Sequence, residues 1–336
     1  MTNLQNRRRF LAGLTATGAT GLICSAMPAR AEPPPETTTV RLARFSPASC
    51  EFPTYIAEEL LRAEGFSDVR YVAGDPTVDT SIWLARGEID FDYNYAAIHI
   101  GSIASGVPIT VLAGLHSGCI ELVANDSIRS IAGLKGKRVG VYAPNTSPHM
   151  LVSLMVSYIG LDPAKDINWV FDAAAASKDL FVEGKVDAFL AIPPEPQDLR
   201  ARKIGHTILA TATDSPWSEY YCCMLAADSG YAGKYPVATK RVMRALFKAI
   251  DFCATSPKAA AKQLVGAKFT EQYDTTLEAL SDIRYDRWRD FDPEDTMRFY
   301  ALRMQETGMI KASPQEIIAN GTDWRFLSEL KREMKI

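Results

Sequence analysis

Residues 215–228 read SPWSEYYCCMLAAD, which places two adjacent thiols, Cys222 and Cys223, directly behind a Trp, a Glu and two Tyr. Two neighbouring cysteines could be metal ligands, a redox pair or ordinary core residues. Successive residues on a strand point to opposite faces, so Cys222 and Cys223 could not both aim at one metal without distortion. A disulfide between neighbours is strained for the same reason. The segment is therefore expected to be a half-buried strand carrying inert thiols. Its aromatics, Trp217, Tyr220 and Tyr221, together with Phe45 and Tyr95, could offer stacking faces to a planar ligand or simply pack in the core.

Other reactive residue types are tested in the same way. The four histidines, His99, His116, His149 and His206, show no HxxxH or HExxH spacing, so no metal centre is expected. No Gly-rich phosphate loop ending in Lys-Ser/Thr occurs, and no GxGxxG follows a strand. GLHSG at 114–118 misses the serine-hydrolase elbow by one residue, so no catalytic residue and no cofactor is assigned. Glu195 is different. In IPPEPQ three prolines stiffen its loop, and a carboxylate held there facing a cleft would pair with an amino or amidine group. The alternative is an acid at a helix start, stabilising the dipole by a few tenths of a kcal/mol. His149, in a first helical turn, could donate to a ligand or stand half exposed.

These residues need elements to position them, and one unit recurs: a short apolar strand, a loop of small or polar residues, then a helix. VRLARF leads into PTYIAEELLRAEG, IDFDY into YAAIHIGSIASG, RVGVY into SPHMLVSLMVSYIG, and VDAFLAI into QDLRARKIG. Alternating strands and helices imply an α/β fold with largely parallel sheets, whose ligands bind at the carboxyl ends of the strands. Ser147 is expected as an N-cap with Pro148 behind it, a helix start able to receive an anion. From about Pro236 the chain is helical, with Val242, Leu246 and Ile250 at core spacing and a capping box from Ser313 to Glu316.

Residues 1–31 are read as an export signal. Arg7-Arg8-Arg9-Phe10-Leu11 has the twin-arginine pattern, an apolar run follows, and Ala29-Arg30-Ala31 gives a small-x-small cleavage site after Ala31. The segment carries Arg7, Arg8, Arg9 and Arg30 and no acid, so its removal leaves 33 basic against 40 acidic residues, a net of −7. That balance argues against nucleic acid or an anionic membrane surface as partner. Of the six cysteines, Cys24 goes with the signal; the five others have no regular spacing, so no disulfide framework is expected and at least one thiol stays free.

The segments HSGCIELVANDSIRSIAGLKGKRVGVY and GLDPAKDINWVF, with LFVEGKVDAFLAIPPEP, carry a resemblance over about residues 38–265. They resemble the solute-binding proteins of nitrate, sulfonate, taurine and thiamine-pyrimidine ABC importers. The resemblance implies a two-lobed periplasmic binding protein fold of type II, with hinge strands between lobes and a helical C-terminus. Lobe I would comprise 38–123 plus 222–336, and lobe II 124–221, with IELVAN and YYCCML as crossover strands. By family analogy the cleft loops hold Phe45, Ser46, Asn94, Tyr95, Ser117, Asn145, Thr146, Ser147, His149, Glu195, Trp217 and Tyr220. The implied role is capture of a small solute by hinge closure and delivery, as a periplasmic monomer, to a membrane permease and ATPase. Glu195 and the aromatics favour a flat nitrogen-bearing solute such as an aminopyrimidine; a taurine-like zwitterion is the other reading. An exported enzyme related to the pyrimidine-synthase branch of the same fold, whose cysteine run YYCCM matches only partly, is the alternative.

Overall fold

The apolar runs separate into strands of two sheets with the same internal plan. In the computed structural model, which describes residues 32–334 apart from 46–47, 75–77 and 173–175, the strands are β1 (Thr39–Arg44), β2 (Asp68–Ala73), β3 (Phe91–Tyr95), β4 (Ile109–His116), β5 (Glu121–Ala124), β6 (Arg138–Val141), β7 (Asn168–Phe171), β8 (Ala188–Ala191), β9 (His206–Ala210) and β10 (Cys223–Asp228). The expected export signal lies outside the described residues. The first sheet runs β2-β1-β3-β10-β4 and the second β7-β6-β8-β5-β9. Among the described residues no helix is long and apolar enough to cross a membrane.

The parallel pairing expected from the strand–helix alternation holds for β1 with β2 and β3, and for β6 with β7 and β8. It fails at one strand in each sheet. β10 runs antiparallel to β3 and β4, and β5 antiparallel to β8 and β9. The reason is connectivity: β5 and β10 are entered directly from the other sheet, so they arrive at the edge where a helix-connected strand would leave.

The two crossings run side by side. Residues 117–120 carry the chain from β4 to β5, and residues 211–222 bring it back from β9 to β10. Thr211 ties them: its amide donates to the Ile120 carbonyl at 3.0 Å, and its hydroxyl oxygen accepts from the amides of Cys119 and Ile120, both at 3.2 Å. The Cys222 amide closes the pair on the His116 carbonyl at 2.9 Å. Gly118 sits between them at φ +60°, and a Cβ there would lie 2.2 Å from the Ala212 backbone.

Helices cover both sheets. The Pro236–Thr255 helix buries Val242, Leu246 and Ile250 as its spacing predicts, and its Phe247 ring stacks on Trp288 at 4.3 Å. Each such side chain contributes about 1.5–3 kcal/mol by leaving water. Ser313 and Glu316 form the expected capping box. One helix start differs by a residue. Thr146, with extended backbone, is the N-cap of the Ser147–Tyr158 helix, because Asn145 before it takes a positive φ of 63°. Ser147 is therefore inside the helix, and its hydroxyl is available for another partner.

Gly118→Ala is expected to destabilise the protein by about 2 kcal/mol or more, since the new methyl meets backbone and not a movable side chain. Chemical denaturation of the variant against wild type checks this; an unchanged midpoint would mean that the crossings are not in contact.

Candidate functional site

The short crossing fixes where a site can form. His116 ends β4 and Glu121 begins β5, so five residue steps, spanning at most about 18 Å, join the edges of the two sheets. The carboxyl ends of β1 and β3 lie on the same edge as His116, because Cys223 pairs with both Tyr95 and His116 and β1 runs parallel to β3. On the second sheet the carboxyl ends of β6, β8 and β9 lie on the edge of Glu121. The loops following these strands face each other.

At the lips the contacts are polar. The Ser147 hydroxyl reaches across to the Asp79 carboxylate at 3.5 Å. Asp79 caps the Thr80–Ala85 helix by accepting from the Ser81 amide at 2.9 Å and its hydroxyl at 2.7 Å. Asn94 joins from β3, donating to the Thr80 hydroxyl oxygen at 2.9 Å. Asp79, Ser81 and Ser102 on one side and Asn145, His149 and Ser153 on the other line a pocket of about 650 Å³, with Lys311 at its margin and Met150, Met304 and Met309 as apolar walls. Its size is that of a small-molecule site. Burial lowers the His149 pKa, and His149 Nδ1 accepts from the Asn145 amide at 3.1 Å. Behind Asp79, burial and then the Asp79 charge push Asp92 up to about 7, while burial brings His99 down to about 4.

A second cross-lobe contact lies opposite. Arg200, on the Glu195–Arg202 helix beside the second sheet, donates to Glu121 at 2.6 Å and to Glu278 at 3.0 Å, and also pairs with Asp282. Gln197 donates to Asp282 at 2.9 Å. Glu278 and Asp282 stand on the Tyr273–Asp282 helix, which packs among the helices of the first lobe.

A second cluster, buried and rich in sulfur, lies beside the crossings. Cys50, from the loop after β1, His116, Cys119 and Cys223 bring one ligand atom each within 4.8 Å of one another, all buried. Cys50 and Cys223 have their Sγ atoms 3.7 Å apart, and Cys119 and Cys222 theirs 3.1 Å apart. Burial pushes the Cys119 and Cys223 thiols up. The His116 ring packs near Tyr93 and Tyr285, at 5.8 and 5.3 Å between centroids, and neither of its nitrogens has a hydrogen-bond partner. The described cysteines are all free thiols.

This arrangement departs from what the sequence spacing implied. Cys222 precedes the strand, so the alternation rule does not govern it, and a register shift follows Cys223. Both thiols accordingly reach the same cluster. The histidines are far apart in sequence, but His116 meets sulfurs supplied by distant segments. The residues missed are Cys50, His116, Cys119 and Asp79. The signal present was His116-x-x-Cys119 at the end of a strand's apolar run, together with the cysteine doublet.

The other expected site residues are distributed as follows. Asn94, Asn145, Ser147 and His149 come together at the lips, and Tyr95 lies beside Cys223. Thr146 is committed to the Ala143 carbonyl at 2.8 Å, and Ser117 is buried in a bridge with Arg284. Phe45 packs against the core, its amide donating to the Tyr55 hydroxyl oxygen at 2.8 Å; Ser46 lies outside the described residues. Trp217 is buried against Tyr158, Phe299 and Tyr300, and Tyr220 stacks on Phe299 at 4.0 Å, so both pack on the Pro293–Glu306 helix. Glu195 turns back to accept from the Ile192 amide at 3.1 Å, and burial raises its pKa to about 7.

Residues 53–260 match the family described as NMT1/THI5 like, which is more than half of the chain. The chain belongs to the NMT1/THI5-like family. Solved structures agree on the fold, that of periplasmic binding proteins. The periplasmic nitrate-binding protein NrtA from Synechocystis superposes with a TM-score of 0.75 at 16% identity, over 90% of each chain. The alkanesulfonate-binding protein SsuA from Xanthomonas axonopodis pv. citri, bound to MOPS, gives 0.69 at 16% identity, over 86% of this chain and 99% of that one. The desulfurization enzyme DSZB gives 0.58 at 15% identity, over 88% of this chain and 99% of that one. No curated protein matches the sequence.

The Glu195 carboxyl keeps its proton in the folded state between about pH 4.5 and 7, where the unfolded chain has lost it. Its contribution to stability is therefore lost as pH rises through that window. Glu195→Gln, which keeps an acceptor for Ile192, is expected to match wild type near pH 4.5 and to melt about 2 °C or more higher above pH 7. Thermal melts across this range check it, and a constant difference at every pH would contradict it.

Proposed function

We propose that this chain is the solute-binding component of an ABC importer, working in the periplasm after cleavage of its signal behind Ala31. The observation that carries this reading is the mechanical one: two sheet edges face each other across two adjacent crossings and meet at their lips through side-chain contacts such as Ser147–Asp79 and Arg200–Glu278. Lips joined in this way separate by rotation about the crossings without breaking either sheet. A solute touching both lobes favours the closed form by its differential affinity, and that form is the one a permease and its ATPase recognise. The described chain would act as a monomer. Lobe I is taken as 38–123 plus 222–336 and lobe II as 124–221.

The pocket chemistry favours a zwitterion of the aminosulfonate type. Asp79 supplies a carboxylate for an ammonium, and Lys311 with the polar groups of Ser102 and Asn145 would receive an anionic end. A flat aminopyrimidine has less support, because Trp217 and Tyr220 have their rings committed to Phe299 and Tyr300. The sulfonate and nitrate relatives support the class of solute, and the desulfurization enzyme on the same fold keeps turnover as a control.

A thermal-shift panel of aminosulfonates, plain sulfonates, nitrate and aminopyrimidines is the direct test. An aminosulfonate is expected to raise the melting temperature and to be recovered chemically unchanged. Asp79→Asn, which preserves the helix cap, is expected to weaken it at least tenfold, about 1.4 kcal/mol. Recovery of a transformed compound would replace the binding reading with an enzymatic one. Removing the cross-lobe ion pairs by Arg200→Ala is expected to enlarge the radius of gyration of the unliganded protein in X-ray scattering. It should also weaken solute binding by about fivefold, the scale of 1 kcal/mol for partly exposed charges.

A further inference from the structure

We propose that Cys50, His116, Cys119 and Cys223 form a binding site for one thiophilic cation, zinc(II) or copper(I), within lobe I beside the outgoing crossing. This goes beyond the solute-binding reading and does not rest on it. Three sulfurs and one imidazole nitrogen are a ligand set that closes a tetrahedron around zinc, and thiolate-rich sets equally select copper(I). In a tetrahedron with metal–sulfur bonds of about 2.3 Å, ligand atoms stand about 3.8 Å apart. Cys50 and Cys223 already have that separation, at 3.7 Å, and the whole set fits within 4.8 Å. Small side-chain rotations would bring the remaining atoms in.

His116 gives an independent reason. It is 0% exposed, yet neither ring nitrogen has a hydrogen-bond partner. A buried imidazole normally has at least one ring nitrogen engaged, which fixes its tautomer. The interaction left to it is with the Cys50 thiol, a weak hydrogen-bonding group, and a cation would engage both. Cys253 shows what an ordinary core thiol looks like in this chain: equally buried, and outside the four-residue cluster. The walls of the cluster are Tyr93 and Tyr285, the latter donating its hydroxyl to the Cys50 carbonyl at 2.6 Å. A bound cation would displace the thiol protons and supply the positive charge that buried thiolates require.

The ligands come from four segments, the loop after β1, the end of β4, the outgoing crossing and the start of β10. A cation held by them would tie the outgoing crossing, through Cys119, to strand ends and a loop of the first sheet. Cys222, 3.1 Å from Cys119, offers the competing outcome, a disulfide that removes Cys119 from the set.

The test uses the protein purified under reductant without oxygen, titrated with zinc(II) and separately with copper(I) against chromophoric chelators. Cobalt(II) serves as a spectroscopic probe of the wild-type protein. One equivalent of zinc or copper is expected to bind, with a rise in melting temperature. Cobalt is expected to show intense sulfur-to-metal charge-transfer absorption and tetrahedral ligand-field bands. Whichever cation competes better against its chelator identifies the occupant. His116→Asn and the Cys50→Ala/Cys223→Ala double variant are each expected to lower affinity at least a hundredfold, with Cys253→Ala unchanged. The proposal is overturned if the folded, reduced wild type binds neither cation stoichiometrically, or if cobalt shows no thiolate charge transfer. Peptide mapping that finds a Cys119–Cys222 disulfide in protein purified without reductant, with no metal uptake after reduction, would also overturn it.

Discussion

Everything in this molecule hangs on two short strands of chain lying side by side. The crossings at 117–120 and 211–222 are tied by Thr211, whose amide and hydroxyl satisfy backbone groups of the other crossing, and by the Cys222 amide on the His116 carbonyl. Buried backbone groups need partners, and here each crossing supplies them for the other. That mutual dependence keeps the crossings adjacent. It also explains why β5 and β10 run against their sheets and why a glycine occupies position 118.

From that constraint the two parts of the site acquire different characters. The lips meet through polar and charged side chains that tolerate exposure: Asp79, Asn94, Ser147, Arg200 and Glu278. The sulfur cluster is at the tie itself and is buried, so what lies there must be apolar or mutually satisfied. Cysteines meet the first condition as small hydrophobes, and His116 does not meet it at all without a partner. Burial likewise raises Asp92 and Glu195 and lowers His99.

Burial also decides the fate of the aromatics. Trp217 and Tyr220 follow the second sheet in sequence, and nothing local distinguishes a ring that stacks on a ligand from one that stacks on protein. The Pro293–Glu306 helix, some eighty residues further on, presents Phe299 and Tyr300 to them. Rings that would have made the site suit a planar solute instead fasten a helix to the returning crossing.

The sequence by itself determined the repeating strand–loop–helix units, the core face of the Pro236–Thr255 helix and the capping box at Ser313, because each is written within a window of a few residues by periodicity and side-chain type. It also carried enough similarity in LKGKRVGV and GKVDAFL to indicate the family and the paired-lobe architecture. The antiparallel insertions, the packing of Trp217 and Tyr220, the inward turn of Glu195 and the union of Cys50, His116, Cys119 and Cys223 were decided only by tertiary structure. Cys50 and Cys223 are 173 positions apart, and no local rule couples them. Their meeting depends on where β10 enters the first sheet, which is set by the hydrogen bonds between crossings and not by any propensity of the residues that meet.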